Sequence, residues 1–301
     1  MNTIVAVPLD EDLASFIGKR GSSNSITFFN RKSENDVIVV LFPSQEDEKI
    51  HALAESLLVS SQILLSTSHL DRRFGEALIA SSLLDRKFML TADNEVGELL
   101  HGSGIGKFSI VSREDALQSI LENVRAEDAK VQVRVDIDKA FPVKGIGTVI
   151  LGIVTKGVLK QHDKLYHTSG KEVSVRSIQS QDEDILSAGI GTRVGISLKG
   201  IEADEISKGD LLTGSQVPIS KRVVVDCRSS RAANEKVEEG SIYGVALGFS
   251  FTECTLIKVG GSELEIKLRS PVPVEIGDEL LLIRRQVPRI FASGVVKQRF
   301  Q

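Results

Sequence analysis

The sequence predicts an α/β segment followed by two all-β segments. Three observations carry that prediction. Before about residue 130, short apolar runs alternate with stretches whose apolar residues recur at helical spacing. From Val131 onward the period drops to two: Val131, Val133, Val135 and Ile137 alternate with Gln132, Arg134, Asp136 and Asp138. Charge divides at the same place, with a net −8 over residues 1–128 and a net +4 over residues 129–301. An acidic front and a mildly basic back point to separate domains with separate partners, and a polyanion would more readily meet the back.

The first segment is built as follows. Ile4 to Val7 is a continuous apolar run, as in a strand buried on both faces. Asp10 to Gly18 reads as a helix with Leu13, Phe16 and Ile17 on one side. Ser25 to Asn30 and Val37 to Phe42 are strands separated by a polar turn. Ser44-Gln45-Glu46-Asp47 has the form of a capping box, opening a helix that runs to about Val59. Gln62 to Ser66 is a strand, Arg72 to Asp85 a helix, and Lys87 to Thr91 and Phe108 to Val111 are strands. Ser112-Arg113-Glu114-Asp115 caps a last helix, with Ala116, Leu117, Ile120, Leu121 and Val124 at helical spacing. Strands alternating with helices imply a mostly parallel sheet covered on both faces.

The remainder reads as short strands between turn signals at Lys144-Gly145, Lys156-Gly157, Ser169-Gly170, Ala188-Gly189 and Lys208-Gly209-Asp210, the spacing of a sandwich or barrel. Gly214-Ser215-Gln216-Val217-Pro218 marks a boundary. Strands at Arg222 to Arg228, Ser241 to Phe249, Thr255 to Val259, Leu264 to Leu268, Glu279 to Arg284 and Ile290 to Lys297 follow. The expected domains are 1–128, 129–217 and 218–301.

Composition narrows the function classes. Hydrophobic residues make up 41% and charged residues 26%, a globular balance that excludes disordered and collagen-like chains. No apolar run approaches the roughly 18 residues a membrane helix needs. The N-terminus lacks the basic flank and cleavage site of a signal peptide. Cys227 and Cys254 cannot form a disulfide framework or a Cys₄ metal site, and their apolar surroundings imply buried thiols. A reducing, cytoplasmic location is expected, with no membrane partner. The histidines show no metal-ligand spacing; His162 and His167 flank a turn and strand. Asp136 and Asp138 share one face of a strand, which in an alternating strand is the solvated face, so no acid/base pair is assigned to them. Gly102-Ser103-Gly104-Ile105-Gly106-Lys107-Phe108 imitates a phosphate loop but has the wrong spacing, no Ser or Thr after the lysine, and a strand where a helix should open; it reads as a flexible loop. Gly18-Lys19 fails in the same way, and Gly-x-Ser-x-Gly is absent.

The stretch from Arg134 to Lys160, with Asp136-Ile137-Asp138, Phe141-Pro142-Val143-Lys144-Gly145-Ile146-Gly147-Thr148 and Gly152-Ile153-Val154-Thr155-Lys156-Gly157, resembles the opening of domain II of translational elongation GTPases. Val175 to Gln179, Ala188-Gly189-Ile190-Gly191, Leu198-Lys199-Gly200-Ile201 and Lys208-Gly209-Asp210-Leu211-Leu212 keep that order. Ser270 to Val274, Gly277-Asp278 and Pro288 to Val296 are similar to the last strands of domain III. The nearest subgroup is SelB-like, and Ile17 to Asn30 resembles the archaeal SelB-like EF-Pyl group. The resemblance implies a G-domain-like parallel sheet followed by two small β-barrels.

The departures from that family decide the chemistry. A P-loop, G-x-x-x-x-G-K-[S/T], cradles phosphates with backbone N–H groups and neutralises them with a lysine. Here the first strand runs into Pro8-Leu9-Asp10-Glu11-Asp12, which places carboxylates where a triphosphate would lie. The Asp-x-x-Gly that holds Mg²⁺ is replaced by Leu41-Phe42-Pro43-Ser44-Gln45, and the guanine-reading Asn-Lys-x-Asp by Thr91-Ala92-Asp93-Asn94. The expectation is a degenerate G domain with no GTP, no cofactor and no enzymatic activity; the alternatives are a protein-interaction or regulatory module that kept the fold and lost both nucleotide and RNA binding, and a GTPase using unusual residues. The resemblance implies tRNA or aminoacyl-tRNA as partner, with the ribosome or a protein partner beside it, and no DNA. By position it assigns the tRNA 3′ end to Ser187, Ala188, Gly189, Thr192 and Arg193, with Ser187 where elongation factor Tu carries a glutamate. It assigns backbone phosphates to Arg228, Arg231, Lys236, Arg284, Arg285 and Arg289, with Ser293-Gly294 as a backbone approach. Cations and N–H groups on phosphates position RNA without reading its sequence.

Overall fold

The computed structural model describes residues 2–32, 37–46, 49–92, 94–102, 107–122, 131–216, 218–233 and 236–300. Its first layer contains β1 (Asn2–Ala6), α1 (Glu11–Ile17), β2 (Lys19–Ser23), β3 (Ile26–Lys32), β4 (Val37–Pro43), α2 (Ile50–Val59), β5 (Gln62–Ser66), α3 (Arg72–Ser82), β6 (Lys87–Thr91), α4 (Asn94–Gly102), β7 (Ser109–Val111) and α5 (Arg113–Leu121). These strands form one mixed sheet in the order β2-β3-β4-β1-β5-β6-β7. It is parallel from β4 through β1 to β7 and antiparallel at the β2-β3-β4 edge.

The apolar runs make both faces of this sheet. Successive residues of a strand point to opposite sides. Ile63 and Leu65 of β5 therefore pack with Leu53, Leu57, Phe74 and Leu78 of α2 and α3. Leu64 packs with Leu13, Ile17, Ala116 and Ile120 of α1 and α5. Asp71 and Ser112 cap α3 and α5 by accepting from the N–H groups of Phe74 and Asp115 at 3.0 Å each.

Three expectations are corrected here. The α2 helix starts at Ile50 instead of at the Ser44 box, and Lys49 is its N-cap without a side-chain cap bond. Among the described residues Ser44 Oγ accepts a local bond from the Glu46 N–H at 3.3 Å, while Asp47 lies outside them. Strand β2 and helix α4 were not anticipated; β2 is exposed throughout and lacks the apolar alternation that identifies strands. The loop reading at Gly102 to Phe108 falls largely outside the described residues, as does Val124.

The middle layer contains β8 (Arg134–Val143), β9 (Gly147–Lys156), β10 (Leu159–Lys160), β11 (Lys164–His167), β12 (Glu172–Ser180), β13 (Glu183–Ile185), β14 (Ser187–Ala188), β15 (Arg193–Lys199) and β16 (Leu211–Thr213). Its sheet order is β11-β16-β8-β9-β15-β12-β13, and β11 also pairs with β12, so the sheet returns on itself around Val135, Ile137, Ile150, Val175 and Ile196. The third layer is a closed barrel of β17 (Ile219–Ser229), β18 (Ile242–Leu247), β19 (Ser250–Gly260), β20 (Glu263–Pro273), β21 (Glu279–Ile283) and β22 (Ile290–Phe300), in the order β17-β20-β19-β18-β21-β22. Each of the six strands read from the sequence is present. Cys254 is buried in this barrel and Cys227 is half-buried; burial pushes their thiols up to about 12 and about 11. No helix among the described residues is long and apolar enough to cross a membrane.

The layers share cores. Ala246, Leu281, Ile283 and Ile290 of the barrel belong to the cluster of α2 and α3. Ile153 of β9 and Phe249 pack with Ile4, Ile26, Phe28 and Leu41 of the first sheet.

Candidate nucleic-acid interface

The C-terminal end of the parallel strands is where open α/β sheets bind ligands. Here Leu9, at φ 74°, turns the chain out of β1 in a backbone conformation that leucine rarely adopts. Asp10 then closes the start of α1: Oδ1 accepts from the Leu13 N–H at 2.7 Å and Oδ2 from Ser68 Oγ at 3.1 Å. Burial pushes the Asp10 carboxyl up, but hydrogen bonds from Ser66, Leu13 and Ser68, with Arg113 nearby, outweigh it and hold the group below its ordinary value. A side-chain carboxylate thus satisfies the helix start that a phosphate would otherwise meet. Glu11 pairs with Arg20, and Arg113 donates to Asp12 O at 3.0 Å. Ser44 donates its N–H to Ser25 O at 2.8 Å and Thr67 to Thr91 O at 3.0 Å, which ties the other two strand ends into loops. Asp93 lies outside the described residues.

The polar face of β8 is the largest departure from expectation. Arg134 and Asp136 are buried, and Asp138 is half-buried, where alternation had assigned a solvated face. The Arg134 guanidinium donates to both Asp136 oxygens at 3.1 and 3.2 Å, to Asp278 at 2.7 Å and to Glu275 at 3.3 Å. Lys156 joins Glu275 at 2.6 Å. Burial alone would ease the proton off Arg134; Asp136 and Asp278 more than reverse this. Strand alternation correctly places these residues on one face. A third layer, invisible to local periodicity, covers that face. The network borders a cavity of about 280 Å³ where all three layers meet, lined also by Asn2, Ser60, Arg86, Thr155 and Glu279.

The residues assigned to the tRNA 3′ end come together beside the first layer. Ser187 is exposed, whereas Ala188, Gly189 and Thr192 are buried. Thr192 Oγ1 donates to Gly189 O at 2.7 Å and accepts from Asn2 Nδ2 at 2.5 Å. The Arg193 guanidinium carbon lies 3.3 Å from the centroid of the Phe28 ring, and its Nη2 is 3.6 Å from Asp138. Burial lowers Arg193 to about 10, opposed by Asp138.

The residues assigned to the tRNA backbone divide into two groups. Arg228 donates to Ser82 O at 2.6 Å and Ser293 Oγ to Leu83 O at 2.8 Å, both at the end of α3. Arg289 grips the buried Glu76 of α3 through its backbone N–H and Nε at 2.9 Å each and Nη2 at 2.7 Å. Burial works against ionisation of Glu76, but the Arg289 hydrogen bonds and charge hold its pKa below the ordinary value. Arg284 caps the carbonyls of Pro288 and Ala233 at 3.0 Å each, and Gly294 is buried against Leu280 and Val225. These side chains tie layers and loops together, and Arg228 remains exposed while doing so. Arg231, Lys236 and Arg285 are exposed and form the second group; Lys236 carries a surface pair with Glu238.

Sequence reasoning missed the residues that join the layers. Lys208 donates to Glu55 of α2 at 2.5 Å and to Ser25 Oγ at 3.2 Å, and lies 5.7 Å from the Phe249 ring of the barrel. Burial raises the Glu55 pKa to about 7, against the pull of Lys208. The signal was present: Glu55 is a lone carboxylate in the apolar run Ala52 to Val59. Arg86 closes the end of α2 through Leu57 O and Ser60 O and pairs with Glu279 of the barrel at 2.5 Å.

Comparison with known proteins agrees with this layer order. Residues 147–213 match the family described as Elongation factor Tu domain 2. An uncharacterized protein of Methanocaldococcus jannaschii is 28% identical over 285 residues, covering 91% of this chain and 92% of the relative. The selenocysteine-specific elongation factor of the same organism is 29% identical over 217 residues, 62% of this chain. The match spans only 44% of that factor's length. Among solved structures, translation elongation factor SelB from Methanococcus maripaludis, in complex with the GTP analogue GPPNHP, superposes with a TM-score of 0.83 at 20% identity, over 99% of this chain and 79% of that one. A G-domain-like sheet followed by two β-barrels, in this order, is the fold this chain shares with SelB. In sequence the chain is similar to selenocysteine-specific elongation factors and, over residues 147–213, to the elongation factor Tu domain 2 family.

Proposed function

We propose that this chain is a SelB-like factor that binds tRNA, with preference for the aminoacylated form, without binding or hydrolysing GTP. The observation that carries the nucleotide half is Asp10: its carboxylate takes the position at the start of α1 that a phosphate needs, with no glycine loop or lysine beside it. Similarity to SelB-like elongation factors and the net positive charge of residues 129–301 support the RNA half. In this reading the chain is not an enzyme, carries no cofactor, and divides near residues 128 and 217 into a G-like domain and two barrel domains. Ser187 sits at the acylated end, and Arg231, Lys236 and Arg285 meet phosphates.

The test is equilibrium binding to aminoacylated and deacylated tRNA pools across a salt series, with a calorimetric titration of GTP and Mg²⁺ alongside. The proposal expects affinity that falls steeply with salt, tighter binding of the acylated pool, and no heat from GTP. Equal binding of both pools would remove the 3′-end assignment. Absence of binding at low salt would overturn the RNA reading, and saturable Mg²⁺-dependent GTP binding would overturn the nucleotide reading. A second reading, a protein-binding module that kept the fold, is favoured by the internal engagement of Arg193 and Arg289. It predicts a defined protein partner and no salt-dependent RNA affinity.

A further inference from the structure

We propose that Ser169 is an acyl-acceptor site, a hydroxyl that the His167 imidazole and the Asp210 carboxylate prime to take an acyl group from small activated carboxylic esters. The proposal is separate from RNA binding and does not depend on it.

Ser169 stands in the turn between β11 and β12, which closes with the Gly170 N–H donating to His167 O at 2.8 Å. Gly170 takes φ 84°, the left-handed conformation that glycine adopts without strain. The turn brings a nucleophile, a base and a carboxylate together. Ser169 is exposed, and its Oγ lies 2.9 Å from His167 Nδ1. The same nitrogen accepts the Ser169 N–H at 3.1 Å, so it carries no proton of its own and is the basic nitrogen of the ring. Nε2 then holds the ring proton. It is buried, makes no hydrogen bond among the described residues, and lies 3.2 Å from Asp210 Oδ2. Asp210 is itself fixed, since Oδ2 accepts from the Ser207 N–H at 2.7 Å. Thr168 Oγ1 accepts from the Leu211 N–H at 2.7 Å, which ties the turn to the chain just after Asp210. A hydroxyl within reach of a base, with a third group behind that base, is the arrangement of an activated nucleophile.

The chemistry is acyl transfer. Ser169 Oγ attacks the ester carbonyl carbon as its proton passes to His167 Nδ1. The ester C–O bond then breaks, and the leaving alkoxide takes that proton from the imidazolium. The products are O-acyl-Ser169 and an alcohol. Asp210 touches no reactant; it faces the imidazolium while that charge lasts and is a positioning residue. Glu205 and Lys171, paired with each other at the surface, are the other charged groups beside the ring. The N–H groups of Ser169 and Gly170 are already engaged, so the turn itself supplies no oxyanion hole and the acyl group stays on Ser169. The site is modified once and does not turn over.

The test treats the full chain with p-nitrophenyl acetate and maps the acetyl group by peptide mass spectrometry. One acetyl group on Ser169 per chain is expected, with a matching release of p-nitrophenol. Ser169→Ala, at an exposed position, should abolish that label. His167→Gln should slow labelling by about 100-fold or more. Asp210→Asn should slow it by about tenfold or more. It should also move the pH profile of labelling to lower pH, because the imidazolium loses its facing carboxylate, a shift that a merely structural role would not produce. Asp210→Asn leaves the buried ring in place, so it decides the same point should His167→Gln unfold. Acetyl on lysines alone, Ser169 labelled no faster than other exposed serines, or an unchanged rate and pH profile in Asp210→Asn would overturn the proposal.

Discussion

Replacing Glu76 by alanine probes the tie between α3 and the C-terminal barrel. The Glu76 side chain is 2% exposed and the Arg289 side chain 15%. Three donors of Arg289 converge on this carboxylate at 2.9, 2.9 and 2.7 Å. Removing one partner of a buried pair costs about 3–5 kcal/mol, because the other charge is left without compensation. The lower figure applies here, since the Arg289 side chain keeps some access to water. A loss of about 3 kcal/mol, at roughly 2–4 °C per kcal/mol for a chain approaching this size, lowers Tm by roughly 6–12 °C. Scanning calorimetry at neutral pH reads this directly. A double-mutant cycle with Arg289→Met separates the pair from the packing of each side chain, with about 2 kcal/mol of coupling expected. A loss below about 1 kcal/mol, ordinary for an exposed pair, would refute the argument. An Arg289→Met variant that keeps its stability and loses tRNA affinity would refute it too, by returning Arg289 to the RNA surface.

Gly191→Ala should destabilise by about 2 kcal/mol or more, because the new Cβ meets both a left-handed backbone and Asn2 O; an unchanged denaturation midpoint would show that β1 can retreat. Glu55 gives a pH signature. Its folded pKa of about 7 lies above the ordinary glutamate value, so its contribution to stability is present below that ordinary value and is lost as pH rises through 7. That loss is about 3 kcal/mol, and Glu55→Gln should flatten it in denaturant titrations run across this window. Neutralising Arg231, Lys236 and Arg285 together should leave stability within about 0.5 kcal/mol and shrink the salt slope of tRNA binding by about 2; an unchanged slope would move the RNA surface elsewhere.

Much of the fold was legible because its signals are local. A strand buried on both faces is a continuous apolar run, as at Ile4 to Val7, and a capped helix begins with a polar residue, as at Asp71 and Ser112. The six barrel strands followed from alternation and turn residues. The absence of a P-loop was equally local, since phosphate binding needs a fixed order of glycines and a lysine. Strand β2 escaped because an exposed edge strand has no buried face to impose a pattern, and the Ser44 box set the start of α2 too early, since that helix begins at Ile50.

The candidate site was less legible, for a different reason. Sequence determined that Arg193, Arg228 and Arg289 are cations in the all-β part of the chain, and that Arg134, Asp136 and Asp138 share one side of β8. Only the tertiary structure decided what those groups face. A guanidinium that meets water is available to a phosphate; the same group against Phe28 or Glu76 is a staple. Glu76 and Arg289 lie 213 positions apart in the chain, and Glu55 and Lys208 lie 153 apart. Patterns with a period of two or of about 3.6 residues carry no information over that distance. The pairing of buried charges was therefore set by how three separately legible layers pack, where each buried charge must find its partner or remain in water.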